Sequence, residues 1–187
     1  YDGATTKELD ALAIQTAALL IGEEPEYSFL AARLLAEFVQ EEVREQGIDT
    51  FSKGIFRGQE LGIINDSIAA FVASHREQLD AAIKPERNNL FQYFGLRTVY
   101  DRYLLKHPTD RLVIETPQTS LMRVACGLAE TPEEAIRLYD TFSNFDYLPS
   151  SPTLFNSGTL HPQLSSCFLV DSPQDSLDSI YDRYKEV

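Results

Sequence analysis

The sequence predicts a mainly α fold. A helical domain over 1–146, broken by one short β-hairpin, is followed over 147–187 by the first strand and helix of an α/β domain. Three observations carry this. Apolar residues recur at helical spacing through most of the first segment. Helix-start signals stand ahead of those stripes: Thr5-x-x-Glu8, Thr116-Pro117 and Thr131-Pro132-Glu133-Glu134. After Tyr147 the pattern becomes loop, strand, turn and helix, as where a new α/β layer begins.

The first helix starts at a capping box in which Thr5 and Glu8 each satisfy an orphan N–H. Leu9, Leu12, Ala13, Thr16 and Leu20 follow on one face, and Gly22 ends it. The second starts near Pro25, with Tyr27, Leu30, Ala31, Leu34, Leu35 and Phe38 as its apolar face and Gly47 as its stop. A weaker helix over 50–61 contains Gly54 and Gly58, each costing about 1 kcal/mol relative to Ala. Asn65 or Asp66 caps a fourth helix carrying Ile68, Phe71, Val72, His75 and Leu79.

An aromatic-rich stretch follows, with Phe91, Tyr93, Phe94, Tyr100 and Tyr103. The turn signal His107-Pro-Thr-Asp110 lies between 103–106 and 112–115, which predicts the hairpin. Two more helices begin at Thr116-Pro117, burying Leu121, Val124, Ala125 and Leu128, and at Thr131-Pro132, burying Ala135, Leu138, Tyr139 and Phe142. Beyond them 148–153 is a loop, 165–170 a short buried strand and 171–174 a turn, and Asp175 caps a last helix.

Composition narrows the function classes. The 187 residues carry a formal charge of -13, which disfavours nucleic acid and anionic membranes as partners. A phosphate site would have to use backbone N–H groups and hydroxyls rather than a basic surface. No apolar run approaches the roughly 20 residues of a membrane helix. The two cysteines, Cys126 and Cys167, make neither a disulfide framework nor a zinc spacing, and a cytoplasmic setting fits them. The three histidines are scattered, and no metal site is expected. Residue 1 is Tyr rather than Met, and the chain ends at Val187 inside an unfinished helix; both suggest a fragment.

The chemistry-bearing stretch is Ser151-Pro-Thr-Leu-Phe-Asn-Ser-Gly-Thr159, continued to Ser166-Cys167. Thr153, Ser157, Thr159, Ser165 and Ser166 are hydrogen-bond donors, and Gly158 allows close backbone approach. Such a group suits a neutral cradle for a phosphorylated sugar, with the Cys167 thiol meeting the sugar. A core strand of small residues is the alternative that the residues leave open. Cys126, mid-helix beside Val124 and Ala125, is a small packing residue.

Two runs closely resemble the start of the catalytic barrel in ribonucleotide reductase large subunits: 151–159, and Pro162-Gln-Leu-Ser-Ser-Cys-Phe-Leu169 after it. Asp175-Ser-Leu-Asp-Ser-Ile180 also resembles that family's pattern. Tyr1-Asp2-Gly3 and Tyr27-Ser-Phe-Leu-Ala-Ala-Arg33 are similar to the segment that follows the regulatory ATP cone. The cobalamin-dependent class shares the Ser-Ser-Cys strand, but the long helical region favours class I. A reading from another class, a helical interaction or regulatory module without nucleotide chemistry, fits the helices before Tyr147 equally well.

The resemblance implies a truncated ten-stranded α/β barrel after the helical domain. It implies a ribonucleoside-diphosphate reductase working by thiyl-radical chemistry, with Cys167 as one of two substrate-reducing thiols. Thr153, Ser166 and Cys167 would contact substrate, and Asp175, Ser176 and Leu177 the deoxynucleotide effector, Asp175 doubling as helix cap. The radical cysteine, the disulfide partner of Cys167, the ATP cone and the C-terminal cysteine pair are not expected within 1–187, so the fragment alone would be inactive. The implied setting is a homodimer of large subunits with a small radical-generating dimetal subunit, a thioredoxin- or glutaredoxin-type reductant and ATP or dNTP effectors.

Overall fold

The structure, a computed structural model, describes residues 3–186. Tyr1 and Asp2 of the opening match, and Val187, where the sequence reads as an unfinished helix, lie outside them. Among the described residues every regular element is helical. Ten α-helices run in chain order: α1 Thr6–Leu19, α2 Tyr27–Glu45, α3 Phe51–Glu60, α4 Asp66–Ser74, α5 Arg76–Ala82, α6 Tyr93–Thr98, α7 Pro117–Cys126, α8 Pro132–Ser143, α9 Ser151–Asn156 and α10 Leu177–Glu186.

Local signals set the helix starts. Thr5 and Glu8 form the full capping box of α1. Thr50 Oγ1 accepts from Lys53 N at α3, and Asn65 Oδ1 accepts from Ser67 N at α4. Thr116 boxes with Thr119 at α7. At α8 the start signal makes a one-sided cap: Thr131 Oγ1 accepts from Glu134 N, while the Glu134 carboxylate accepts from Glu130 N rather than from Thr131 N. Gly47, at φ +76°, closes α2 in the left-handed conformation that glycine adopts without strain.

The helices enclose two adjoining apolar cores. In one, α1 and α2 pack with α6 and the 104–114 segment around Leu35, Val39, Phe91, Leu96, Val113 and Ile114. In the other, α3, α4, α5, α7 and α8 pack around Phe51, Ile55, Val72, Leu79, Met122 and Tyr139. α7 lies at the centre, with nine of its ten residues buried. It is the plank against which the later elements are laid.

Several expectations need correction. The face chosen for α1 is largely outside: Leu9 and Leu12 are 44% and 46% exposed, and Ile14 and Ala17 are the buried contacts. Leu128 is likewise exposed rather than part of the α7 stripe. The helix expected through His75 breaks there, where the backbone leaves helical geometry at ψ 23°. The break lets α5 turn onto α3, whose Ser52 N and Oγ both donate to Asp80, at 2.8 and 2.7 Å. The 148–153 loop is shorter than expected, since α9 begins at Ser151.

No hairpin of two strands forms over 103–115. One antiparallel bridge, Lys106 with Val113, is present, supported by His107 N to Leu112 O and Ile114 N to Leu105 O. The ladder stops because residues up to Tyr103 are helical and Glu115 is drawn into an ion pair. The segment 165–170 is exposed and unpaired rather than a buried strand. A strand exists through its neighbours' hydrogen bonds, and no neighbouring strand is present among the described residues.

Candidate functional site

The candidate site is carried by the corner that follows α9. Gly158, at φ +81°, turns the chain back under α7, and a Cβ there would lie 3.1 Å from Arg123 Cγ. Ser157 Oγ donates to Val124 O at 2.9 Å. Thr159 pairs with Ile64 in an isolated antiparallel bridge, and Leu160 N donates to Ile63 O at 2.9 Å. Ser157 and Thr159 are buried, and their hydroxyls are committed to Val124 O and Asn156 O. These two residues and Gly158 therefore anchor the corner to the helical core instead of contributing donors to a ligand cradle.

Beneath the corner lies an ion pair that the sequence reading missed. Arg123 is 0% and Glu115 5% exposed. The guanidinium donates to both carboxylate oxygens, Nε to Oε2 and Nη2 to Oε1, each at 2.9 Å. Its other donors go to main-chain carbonyls at the end of α9, Ser157 O at 2.7 Å and Leu154 O at 3.3 Å. Glu115 Oε1 also accepts from Leu105 N at 2.9 Å. Every acceptor and most donors are thus satisfied, as a buried pair requires. One sequence signal could have revealed it: Arg123 interrupts the apolar run Leu121, Met122, Val124, Ala125.

α9 in turn carries the segment that leads to the thiol. Thr153 Oγ1 donates to Leu164 O at 3.2 Å, and Asn156 Nδ2 to Gln163 O at 2.7 Å. Tyr103 steadies the outer side of α9 by stacking on Phe155 at 4.6 Å and bonding Ser151 Oγ at 2.7 Å. Beyond Leu164 the chain is solvent-facing. Ser166 and Cys167 are both exposed, with Ser166 Oγ 3.7 Å from Cys167 Sγ. The structure thus brings Thr153 into one framework with the approach to Ser166 and Cys167.

The second predicted cluster lies at the start of α10. Ser176, not Asp175, caps that helix: its Oγ accepts from Ser179 N at 3.3 Å. Ser179 Oγ accepts in return from Gln174 N at 3.0 Å. The Asp175 carboxylate is exposed, and Leu177 is 72% exposed. Cys126 is the opposite kind of cysteine from Cys167. It lies in the α7 core, and burial pushes its thiol up to about 12. No group of three or more His, Cys, Asp or Glu side chains among the described residues is placed to hold a metal ion. No helix among them is long and apolar enough to cross a membrane.

A family model described as "Ribonucleotide reductase, all-alpha domain" matches residues 89–162, the span that holds α6 to α9 and the Ser157–Gly158 corner. Over 99% of its length the chain is 39% identical to the ribonucleoside-diphosphate reductase large chain of Schizosaccharomyces pombe, and covers 23% of that protein. It is 38% identical over 99% of its length to the large chain of Neurospora crassa, covering 20% of it. The large subunit of Arabidopsis thaliana is 36% identical over 100% of the chain, which covers 23% of that protein. The chain thus spans between a fifth and a quarter of the length of these relatives.

Proposed function

We propose that this chain, which is 38–39% identical over 99% of its length to ribonucleoside-diphosphate reductase large chains and is matched over 89–162 by the ribonucleotide reductase all-alpha domain model, belongs to that large-subunit family, forms the helical domain of a class I ribonucleoside-diphosphate reductase and opens that enzyme's catalytic barrel. In this reading 1–146 is the helical domain, and 147–187 supplies the first barrel strand and helix. The strand over 165–170 acquires its hydrogen-bonding neighbours from later barrel strands. The observation that carries the proposal is the similarity running the whole length of the chain, combined with an exposed thiol at Cys167 at the end of the α9-tethered segment.

Cys167 is one of two substrate-reducing thiols. It delivers a proton to the departing 2′-hydroxyl, which leaves as water. With a second cysteine from beyond residue 187 it forms a disulfide, and the two electrons released reduce the sugar carbon. Thr153 and Ser166 hold the substrate by hydrogen bonds on the same side of the ribose, and Asp175, Ser176 and Leu177 contact a deoxynucleotide effector. The radical that starts the reaction comes from a dimetal small subunit. A thioredoxin- or glutaredoxin-type dithiol restores the cysteines, which sets the enzyme in a reducing, cytoplasmic compartment. The reaction needs groups on both faces of the ribose at near-attack distance, so residues 1–187 alone are inactive.

The test is Cys167→Ser in the complete enzyme with its small subunit, an external dithiol and a ribonucleoside diphosphate. Multiple turnover is lost and substrate binding is retained. Undiminished multiple turnover removes Cys167 from the mechanism.

A further inference from the structure

The Arg123–Glu115 pair is a poor device for stability alone. Two charges taken out of water must recover a desolvation cost, and a well-packed apolar pair often serves a fold as well. Its geometry points elsewhere. Two further donors of Arg123 reach Leu154 O and Ser157 O, carbonyls at the C-terminal end of α9, where a positive charge is favoured. Glu115 grips one edge of the guanidinium through Nε and Nη2 together, so the plane and the direction of the remaining donors are set. From α9, Asn156 and Thr153 hold the carbonyls of Gln163 and Leu164. Leu164 stands three residues before Cys167.

We propose that Arg123 and Glu115 are positioning residues for the reducing thiol, fixing α9 on α7 and, through Asn156 and Thr153, the register in which Cys167 enters the barrel. The inference rests on the reductase reading of Cys167. Neither residue touches substrate. Their effect is geometric: a displacement of α9 is passed to Gln163 and Leu164 by direct hydrogen bonds, with only a short stretch of chain left before the sulfur.

The test uses the full-length protein with its radical-generating partner. Arg123→Met with Glu115→Leu replaces the pair by apolar side chains of similar size, and thermal melting establishes that the fold is kept. The decisive readout is the rate at which Cys167 enters a disulfide in a single turnover without external reductant. With melting unchanged, that rate falls on the order of a hundredfold, as expected for a reacting group misplaced by about 1 Å. Cys167→Ser is run beside it. If Cys167→Ser still turns over repeatedly, the reductase reading fails and this inference with it. If Cys167→Ser is inactive but the folded double variant forms its disulfide at the wild-type rate, the positioning inference alone is overturned. Should the double variant not fold, the half-buried Asn156→Ala decides by the same readout: slowed disulfide formation supports the relay, and the wild-type rate overturns it.

Discussion

The C-cap glycine of α7, Gly127, lies so close under Ser157 that the two backbones leave no room for a side chain between them. A Cβ on Gly127 would stand 2.5 Å from Gly158 N and overlap the Ser157 hydroxyl. Its φ of −73° is ordinary, so the requirement is for space and not for conformational freedom. Gly127→Ala must therefore push the corner off α7 and break the Ser157–Val124 hydrogen bond. A loss of about 1–3 kcal/mol in urea unfolding is expected. Gly22→Ala, where nothing lies within 4 Å, serves as the neutral control.

The buried pair predicts an asymmetry between single and double substitution. Arg123→Ala or Glu115→Ala leaves one charge in the core without its partner and should destabilise by about 3–5 kcal/mol. Replacing both by apolar side chains should recover most of that loss. Midpoints of chemical denaturation at constant slope measure the difference.

The two thiols should separate cleanly in a labelling experiment. Cys167 is exposed, and Cys126 is buried with its thiol pushed up to about 12. An aromatic disulfide reagent at mildly alkaline pH should modify Cys167 at once and Cys126 only after denaturant is added. Rapid labelling of both in the folded chain would contradict the packing of α7.

How far the sequence could be read depended on the range of each interaction. The caps at Thr5, Asn65, Thr116 and Thr131 were legible because each is a contact within one helical turn. The inward face of α1 was not, since its spacing allowed either Leu9 and Leu12 or Ile14 and Ala17 to be buried, and only the docking of α2 decides. Gly58 looked like a weakness in α3. It is instead the place where Ile64 closes in, because a Cβ would lie 2.5 Å from Ile64 Cγ1. In the candidate site, Thr153, Ser166 and Cys167 were picked out by residue type and resemblance. Arg123 and Glu115 were missed because their meeting depends on how the 105–115 segment folds over α7.

Glu42 gives a pH-dependent prediction. It is buried on α2, which pushes its carboxyl above the ordinary glutamate range, although the Val113 backbone, the Tyr100 hydroxyl and the charges of Lys7 and Lys106 pull it back. A carboxyl raised in the folded state favours folding while protonated. That contribution is complete below the unfolded value, near 4.5, and is lost as pH rises through the raised folded value. Glu42→Gln should therefore stabilise the chain at neutral pH and make no difference in acid. Stability curves of both proteins across the acid range check the sign.

The central claim is that Cys167 gives up its thiol hydrogen and electrons to a bound ribonucleotide. The most direct measurement is peptide mapping of the complete enzyme after one turnover without external reductant. The account predicts that Cys167 is recovered in a disulfide with a cysteine from beyond residue 187, in proportion to the deoxyribonucleotide formed. Deoxyribonucleotide formed with Cys167 still a free thiol would contradict it.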